Sequence, residues 1–386
     1  MARMLMFLLV MTGVLGSLTY YVGLRLIPPG WSTGARVGAW AGLAALVLIQ
    51  PLAFVLRFQW HRESAGDVLL WVAFVAMGVF LIVLAFTFLR DVGWLAGRLS
   101  GVVPKDPDRR QALLELTNLG VLGVSGGTFA WGLKRALARP TVVDVTIPVA
   151  GLPAALEGFT IAHVSDIHIG PTIKRPFLEE VVAVVNSMKA DLVAVTGDLV
   201  DGSVAELGRH TEVLGGLRAR HGAWFVTGNH EYYSGVHEWI DEVRRLGLTV
   251  LLDEHRVVDH DGHRIVVGGV TDYTAASSVP EHKSDPEAAL AGAPTDAAFK
   301  LLLAHQPRNA YAAAKAGFQL QLSGHTHGGQ LFPGNFLIHL VQPFAAGLHR
   351  LEQMWIYTNT GTGYWGPPVR TTRVTSEVTR IVLKRA

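Results

Sequence analysis

The chain has 386 residues, a formal net charge of +2 and no cysteine. The absence of cysteine excludes disulfides, thiolate zinc sites and cysteine nucleophiles. The near-neutral charge argues against a nucleic-acid partner. Apolar residues make up 50% of the chain and charged residues only 17%, against roughly 25% in an ordinary soluble protein. This length predicts two domains, and only one of the 16 histidines, His61, precedes residue 140.

Four apolar runs occupy residues 4–24, 37–56, 68–89 and 116–133. Each of the first three has about the 20 residues that a helix needs to cross roughly 30 Å of hydrocarbon. A cleaved signal peptide is the alternative for the first run, but its apolar core is long and no clear cleavage site follows.

The fourth run carries Gly123 and Gly127 at the spacing that favours close packing of membrane helices. A buried or interfacial helix is the alternative for this run. We therefore predict an all-α transmembrane region of about four helices over residues 1–139.

The orientation of these helices depends on basic residues. Five of them lie between the third and fourth runs: Arg90, Arg98, Lys105, Arg109 and Arg110. The positive-inside rule keeps this loop in the cytoplasm and places the C-terminal domain outside, whereas Lys134, Arg135 and Arg139 favour the reverse. The pair Arg109-Arg110 precedes an apolar run as a twin-arginine signal does. We predict the inner membrane, with the C-terminal domain on its outer face.

A second domain is predicted over residues 140–386, where short β-rich runs alternate with helical stretches. This alternation predicts an α/β domain with a mixed or parallel sheet, and Asp261-Gly262 in "HRVVDHDGHRIVVGGV" predicts the turn of a hairpin. Five predicted strands end in "SDIH", "GDLVD", "GNHE", "AHQP" and "GHTH". Because ligands collect beyond the carboxyl ends of strands in open α/β sheets, these loops are expected to converge.

The strand ends carry imidazoles, carboxylates and one amide: Asp166, His168, Asp198, Asn229, His230, His305, His325 and His327. Such ligands suit Mn²⁺, Fe or Zn²⁺ and are too many for one ion. Two ions roughly 3.5–4 Å apart form a clamp for displacement at phosphorus. The glycines of "GHTHGG" let the backbone approach a crowded site.

The blocks "DIH", "GDLVD", "GNHE", "AHQP" and "GHTHGGQ", in this order over roughly 160 residues, resemble the signature of calcineurin-like metallophosphoesterases. The later "GLHR" and "IYTNTGTGY" resemble the membrane-associated and exported subgroup of that superfamily. The resemblance extends from about Phe159 to the C-terminus and implies a four-layer α/β/β/α sandwich.

The resemblance also implies roles for individual residues. Asp166, His168 and His327 would hold one metal, Asn229, His305 and His325 a second, and Asp198 would bridge them. His230 would protonate the leaving oxygen, and Glu231, where many relatives have Asp, would orient His230. The implied reaction is hydrolysis of a phosphodiester or pyrophosphate by attack of a metal-bridging hydroxide. A domain tethered to the bilayer meets lipid head groups at high effective concentration, so a lipid-linked substrate is expected.

Three other functions are alternatives for this chain. A metal-binding membrane sensor or regulatory protein would keep the metals without turnover. Transport is disfavoured because the first three runs contain Gln50 as their main polar residue. A metal-dependent deacetylase or peptidase would need its own signature, such as a helical H-E-x-x-H.

Single residues outside the five blocks have predicted roles as well. Asp201 either contacts residues of the site or caps a helix. "GTGYWGPPVR" is expected to border the site, with Tyr364 or Arg370 contacting a phosphate or leaving group and Arg308 as a further candidate. His163 is predicted to be a hydrogen-bonded core residue.

Overall fold

The computed structural model describes residues 2–59, 63–372 and 375–386. The chain divides into two compact units: Met1–Lys134 with Gly366–Thr371, and Arg135–Trp365 with Thr372–Ala386. We call them the helical unit and the sheet unit. The predicted domain boundary between residues 139 and 140 stays a prediction, and the two units change over between Lys134 and Arg135.

The helical unit contains four long helices, one for each apolar run. They are α1 (Ala2–Leu26), α2 (Thr33–Gln59), α3 (Glu63–Leu99) and α4 (Pro107–Ala136). Among the described residues, two segments are long and apolar enough to cross a membrane, Thr33–Ala53 and Gly66–Leu99. The four helices therefore exist, whereas the count of four membrane spans stays a prediction.

Helix α4 begins at a cap that its sequence encodes. The Asp106 carboxylate accepts a hydrogen bond from the Arg109 amide at 2.8 Å, and Pro107 occupies the first helical position. Within this chain the predicted close packing at Gly123 and Gly127 is wrong, because no described atom comes within 4 Å of a Cβ at either position. Close approach occurs instead at Gly132, where a Cβ would lie 2.6 Å from Val369 Cγ1.

In its described part, the sheet unit contains twelve strands and seven α-helices. The strands are β1 (Thr141–Val149), β2 (Thr160–Val164), β3 (Leu192–Val195), β4 (Ala223–Phe225), β5 (Thr249–Val250), β6 (Glu254–His260), β7 (His263–Gly269), β8 (Phe299–Leu303), β9 (Leu320–Ser323), β10 (Gly347–Leu351), β11 (Met354–Thr358) and β12 (Glu377–Arg385). The helices are α5 (Arg175–Ser187), α6 (Val204–Thr211), α7 (Asn229–Ser234), α8 (Val236–Arg245), α9 (Pro286–Leu290), α10 (Ala310–Ala316) and α11 (Gly334–Leu337).

The strands form two mixed sheets of six. The first has the order β1-β12-β2-β3-β4-β5 and the second β10-β11-β9-β8-β7-β6. Strands β2 to β5 are parallel to one another, as are β7, β8, β9 and β11. The predicted hairpin is confirmed as β6 and β7, and both turn residues, Asp261 and Gly262, have positive φ.

The two sheets pack face to face with helices outside. Along β3, Leu192 belongs to the core between the sheets and Val193 to the core under α5 and α8. Along β8, Leu301 belongs to the inner core and Leu302 to the core under α10. This alternation follows from the two-residue period of a strand. The layer order is thus α/β/β/α, with mixed α/β sheets as the sequence predicts.

Candidate metal centre

Five candidate ligands lie in strand-end loops with an unusual backbone. The φ angles are 53° at Asp166, 54° at His168, 49° at Asp198, 70° at His325 and 48° at His327. Aspartate and histidine tolerate this left-handed region better than most residues, but each instance still costs roughly 1–3 kcal/mol. Such conformations persist where the surrounding structure imposes them, and they cluster at functional sites. The loops after β2, β3 and β9 therefore hold their side chains at an energetic cost.

The first group of side chains combines the loops after β2 and β9. His327 Nε2 lies 3.5 Å from Asp166 Oδ1 and 3.0 Å from His168 Nε2. All three side chains are buried, and their ligand atoms lie within 4.8 Å of one another. Two imidazole nitrogens and a carboxylate oxygen thus converge on one point.

The second group is centred on Asp198, which follows β3. Asp198 Oδ2 lies 3.2 Å from His305 Nε2, and His305 Nε2 lies 3.2 Å from His325 Nδ1. The same oxygen lies 3.9 Å from His168 Nε2 in the first group and 3.9 Å from His230 Nε2. Asp198 is therefore the side chain that the two groups share.

Asn229 completes the set of predicted ligands. It is the first residue of α7 and is only 9% exposed. Its Oδ1 is buried and has no hydrogen-bond partner among the described residues. Burying an amide oxygen without a partner costs free energy unless another ligand satisfies it. This orphaned oxygen and the converging imidazoles fit a divalent cation.

Two glycines make this convergence possible. A Cβ at Gly324 would lie 2.0 Å from both Asp166 Oδ2 and Ser165 Oγ. A Cβ at Gly228 would lie 2.2 Å from Asp198 Oδ1. The backbone thus passes the two candidate carboxylates at a distance that only glycine allows.

His230 is oriented by a residue that the sequence left ambiguous. Its Nδ1 lies 2.5 Å from Asp201 Oδ1, and the same oxygen lies 3.1 Å from His168 Nδ1. The cap of α6 is Ser203, so Asp201 belongs to the site. With Asp201 accepting at Nδ1, the Nε2 atoms of both imidazoles face the cluster.

The prediction that Glu231 orients His230 is wrong. Its carboxylate accepts hydrogen bonds from the backbone amides of Gly228 (2.6 Å), Leu199 (2.8 Å) and Asp198 (3.1 Å). The His230 ring nitrogen is bonded to Asp201 instead. The function of Glu231 is to hold the loops after β3 and β4 together.

Burial and charge shift the pKa values of these groups in the protein alone. Burial disfavours protonation of His230, but the hydrogen bond to Asp201 and the charge of Asp198 outweigh it and raise its pKa to about 9. Burial also opposes ionisation of Asp198, yet the facing His305, His230 and His168 hold its pKa well below the usual value. An ionised Asp198 is the form that binds a cation.

Two aromatic side chains flank His230 and were not singled out by the sequence patterns. The ring centroid of Tyr233 lies 5.3 Å from that of His230, and the centroid of Trp365 lies 5.8 Å from it. Tyr233 is 72% exposed and Trp365 54% exposed. Gln330 holds the backbone of Trp365 through bonds of 3.1 and 3.2 Å. The segment "GTGYWGPPVR" therefore borders the site, but through Trp365.

The other candidates make different contacts from those predicted. Tyr364 is buried, with its hydroxyl 3.4 Å from the Thr172 carbonyl oxygen, and Arg370 is buried and belongs to the helical unit. Arg308 donates to the Val341 carbonyl oxygen. His163 is the predicted core residue: it is fully buried, its Nε2 lies 2.8 Å from Thr196 Oγ1, and burial lowers its pKa to about 3.

Comparison with known proteins agrees with the geometry. Residues 159–329 match the family model of the calcineurin-like phosphoesterase domain. Proteins named transmembrane protein with metallophosphoesterase domain are similar to this chain. The one from Danio rerio is 39% identical over 81% of this chain and 73% of its own length. The one from Bos taurus is 36% identical over 82% of this chain and 74% of its own length.

Among solved structures, a 5′-nucleotidase precursor from Thermus thermophilus is 18% identical with a TM-score of 0.36. That match covers 54% of this chain and 49% of the nucleotidase, about half of its length. The sequence matches decide the assignment, because they run through the five blocks and the domain around them. The chain belongs to the calcineurin-like metallophosphoesterase family.

Proposed function

We propose that the chain is a membrane-anchored phosphoesterase that uses two divalent metal ions to hydrolyse a phosphodiester or pyrophosphate. The observation that carries the proposal is the sharing of Asp198. Its Oδ2 lies 3.2 Å from His305 and 3.9 Å from His168, which belong to different ligand groups. A carboxylate between two sets of imidazoles is suited to bridge two cations.

In this proposal Asp166, His168 and His327 would hold one ion, Asn229, His305 and His325 would hold the other, and Asp198 would serve both. The donors are oxygen and imidazole nitrogen, which suits Mn²⁺, Fe or Zn²⁺. Two such ions would activate water near neutral pH and would offset the negative charge on the phosphoryl oxygens.

The histidines are held in the tautomer that the site requires. His305 Nδ1 donates to the Thr196 carbonyl oxygen at 2.7 Å, so its Nε2 is left for the cluster. Asp201 does the same for His168.

His230 is the proposed proton donor to the leaving oxygen. Its Nε2 faces Asp198 at 3.9 Å, and Asp201 holds the other ring nitrogen. A histidine kept protonated beside the site can donate to an oxygen as the ester bond breaks. Asp201 is the positioning residue for this transfer, since it fixes the ring through Nδ1.

The exposed rings of Tyr233 and Trp365 support an organic leaving group next to His230. Aromatic faces contact planar or apolar groups favourably, and these two rings stand on the solvent side of His230. We propose that this rim contacts the part of the substrate beyond the scissile phosphate. A lipid-linked ester fits such a rim and the proposed membrane anchor.

Membrane anchoring itself is proposed from two apolar helical segments and from relatives named transmembrane proteins. We further propose the inner membrane, with the sheet unit on its outer face. A reporter that is active only outside the cytoplasm, fused after Ala386, tests the orientation. Activity is expected, and an inactive but folded fusion would reverse the assignment.

The test of turnover uses the full chain in detergent with its metal removed by a chelator. Hydrolysis of bis-p-nitrophenyl phosphate is followed before and after addition of Mn²⁺. We expect turnover only with the ion, and His230→Ala is expected to lower it by about 10²–10⁴-fold while metal content stays unchanged. Turnover in the stripped protein, or loss of metal in His230→Ala, would contradict the assigned roles. A metal-loaded chain without turnover on any phosphodiester or pyrophosphate would favour the sensor alternative.

A further inference from the structure

A cavity of about 570 Å³ lies within the helical unit, between the end of α1, the following loop, α3 and the first half of α4. Its size falls in the range of small-ligand sites, roughly 300–1,000 Å³. Both polar and apolar side chains line it. None of them belongs to the candidate metal centre, so the cavity is a separate feature of the molecule.

A network of charged side chains forms one part of the wall. Asp91 accepts a hydrogen bond from the Tyr21 hydroxyl at 2.8 Å and forms ion pairs with Arg25 (2.8 Å) and Arg90 (2.9 Å). Arg90 also donates to Asn118 Oδ1. The network fixes two guanidinium groups with one carboxylate between them, which leaves a surplus of positive charge.

The Arg90 side chain is only 7% exposed, and its Nε makes no hydrogen bond to the described residues despite its contact with Asp91. Arg98 also lines the cavity and forms no ion pair with the described residues. The remaining acid, Glu115, accepts a hydrogen bond from Gln111 at 2.9 Å. Three arginines therefore face two carboxylates around this cavity.

The rest of the wall is apolar and not covered by protein. Leu24, Phe88, Val92 and Leu95 line the cavity and are 58%, 59%, 47% and 59% exposed. Tyr21 and Trp94 also line it, and such side chains favour the level of lipid head groups. An occupant must offer negative charge at one end and hydrocarbon at the other.

We propose that this cavity binds the head group of an anionic phospholipid, with its phosphate at Arg25, Arg90 and Arg98 and its acyl chains along the apolar wall. Basic pockets between membrane helices bind anionic head groups in this manner. Free phosphate shares the charge but cannot use the exposed apolar wall. The site goes beyond the proposed esterase and does not depend on turnover.

The test measures lipid binding to the full chain in neutral detergent by native mass spectrometry. Phosphatidylglycerol, phosphatidylcholine and inorganic phosphate are compared. We expect phosphatidylglycerol to bind at least about five-fold more tightly than phosphatidylcholine, since one arginine near a lipid surface contributes roughly that factor. Equal binding of the two lipids would overturn the proposal, as would competition by inorganic phosphate alone at equal concentration.

Variants locate the site. Arg98→Gln is expected to weaken phosphatidylglycerol binding about five-fold, and Arg98→Lys to retain most of it. Arg36→Gln is the matched control, because Arg36 is an exposed arginine of α2 outside the cavity. Arg98 is exposed and unpaired among the described residues, so its replacement leaves the fold intact. Unchanged binding in Arg98→Gln, or equal loss in Arg36→Gln, would place the lipid elsewhere. Metal-dependent turnover of the same samples is measured separately, so failure of one proposal is distinguishable from failure of the other.

Discussion

Two buried threonines of the helical unit and the candidate metal centre of the sheet unit satisfy their polar groups in different ways. In the helical unit, buried Thr19 and Thr87 donate to carbonyl oxygens one turn earlier in their own helices, at 2.6 and 2.7 Å. In the sheet unit, Asp198 and His305 come from different strand ends and meet only because the fold brings them together. Local satisfaction suits a segment surrounded by hydrocarbon. Charged groups that converge from distant positions must instead be stabilised by one another or by a bound cation.

The largest effect is expected from Asp198→Asn, which removes a charged group of the candidate metal centre. Removal of the shared carboxylate should lower metal-dependent turnover by more than about 10³-fold and reduce metal content, since the charge that joins the two groups is lost. Asp144→Asn is the matched control, because Asp144 is exposed and its one ion pair among the described residues is with the surface residue Arg380. Substantial activity in Asp198→Asn would remove the basis for a bridged pair of ions.

One glycine from each unit gives a second test of the difference between the units. Gly324→Ala places a methyl group against Asp166, and we expect roughly a 10²-fold loss of turnover, because a displacement of about 1 Å at a site has this effect. Gly123→Ala in α4 places its methyl group in space where no neighbouring described atom lies within 4 Å, so turnover should be unchanged and thermal stability should not fall. If Gly324→Ala left turnover as unchanged as Gly123→Ala does, the close approach of the backbone to Asp166 would not matter for activity.

A third pair of variants separates orientation from structural support. Asp201→Asn should lower activity or metal affinity about 10–100-fold while the domain stays folded, because its carboxylate positions His168 and His230. Glu231→Gln should lower the free energy of unfolding by about 1–3 kcal/mol, because one acceptor for backbone amides becomes a donor. The reverse pattern, with a stable but inactive Glu231→Gln, would restore Glu231 as the residue that orients His230.

The smallest expected effect concerns the aromatic rim. Tyr233→Ala and Trp365→Ala should each raise KM about three- to ten-fold for an ester with a large leaving group, which corresponds to the usual strength of an aromatic contact. With the smaller substrate bis-p-nitrophenyl phosphate, the kcat of both variants should change little. A large fall in kcat with unchanged KM would show that the rings act on chemistry rather than on substrate contact.

The candidate metal ligands could be predicted from the sequence, because aspartate, asparagine and histidine are recognisable as ligand types where they follow predicted strands. Asp166, Asn229 and His305 follow predicted strands, and parallel strands present their carboxyl ends at one edge. The hairpin at Asp261-Gly262 was predictable for a similar reason, since a two-residue turn is a local feature.

Contacts between side chains that are far apart in the chain could not be predicted from the sequence. Asp201 contacts His168 across 33 positions, and Trp365 reaches His230 across a much longer stretch of chain. The spacing of Gly123 and Gly127 predicts packing, but it does not say whether a partner helix is present in the same chain. The resemblance implied that Glu231 orients His230, whereas Asp201 holds the ring and Glu231 accepts from backbone amides.

The central claim is that two metal ions share Asp198, and a titration of activity tests it most directly. The full chain is stripped of metal, Mn²⁺ is added in steps at protein concentrations well above the dissociation constant, and phosphodiester hydrolysis is measured at each step. We predict that turnover rises until two ions are bound per chain and then stays constant. Full activity at one ion per chain would contradict the shared site, whatever the metal and whatever the natural substrate.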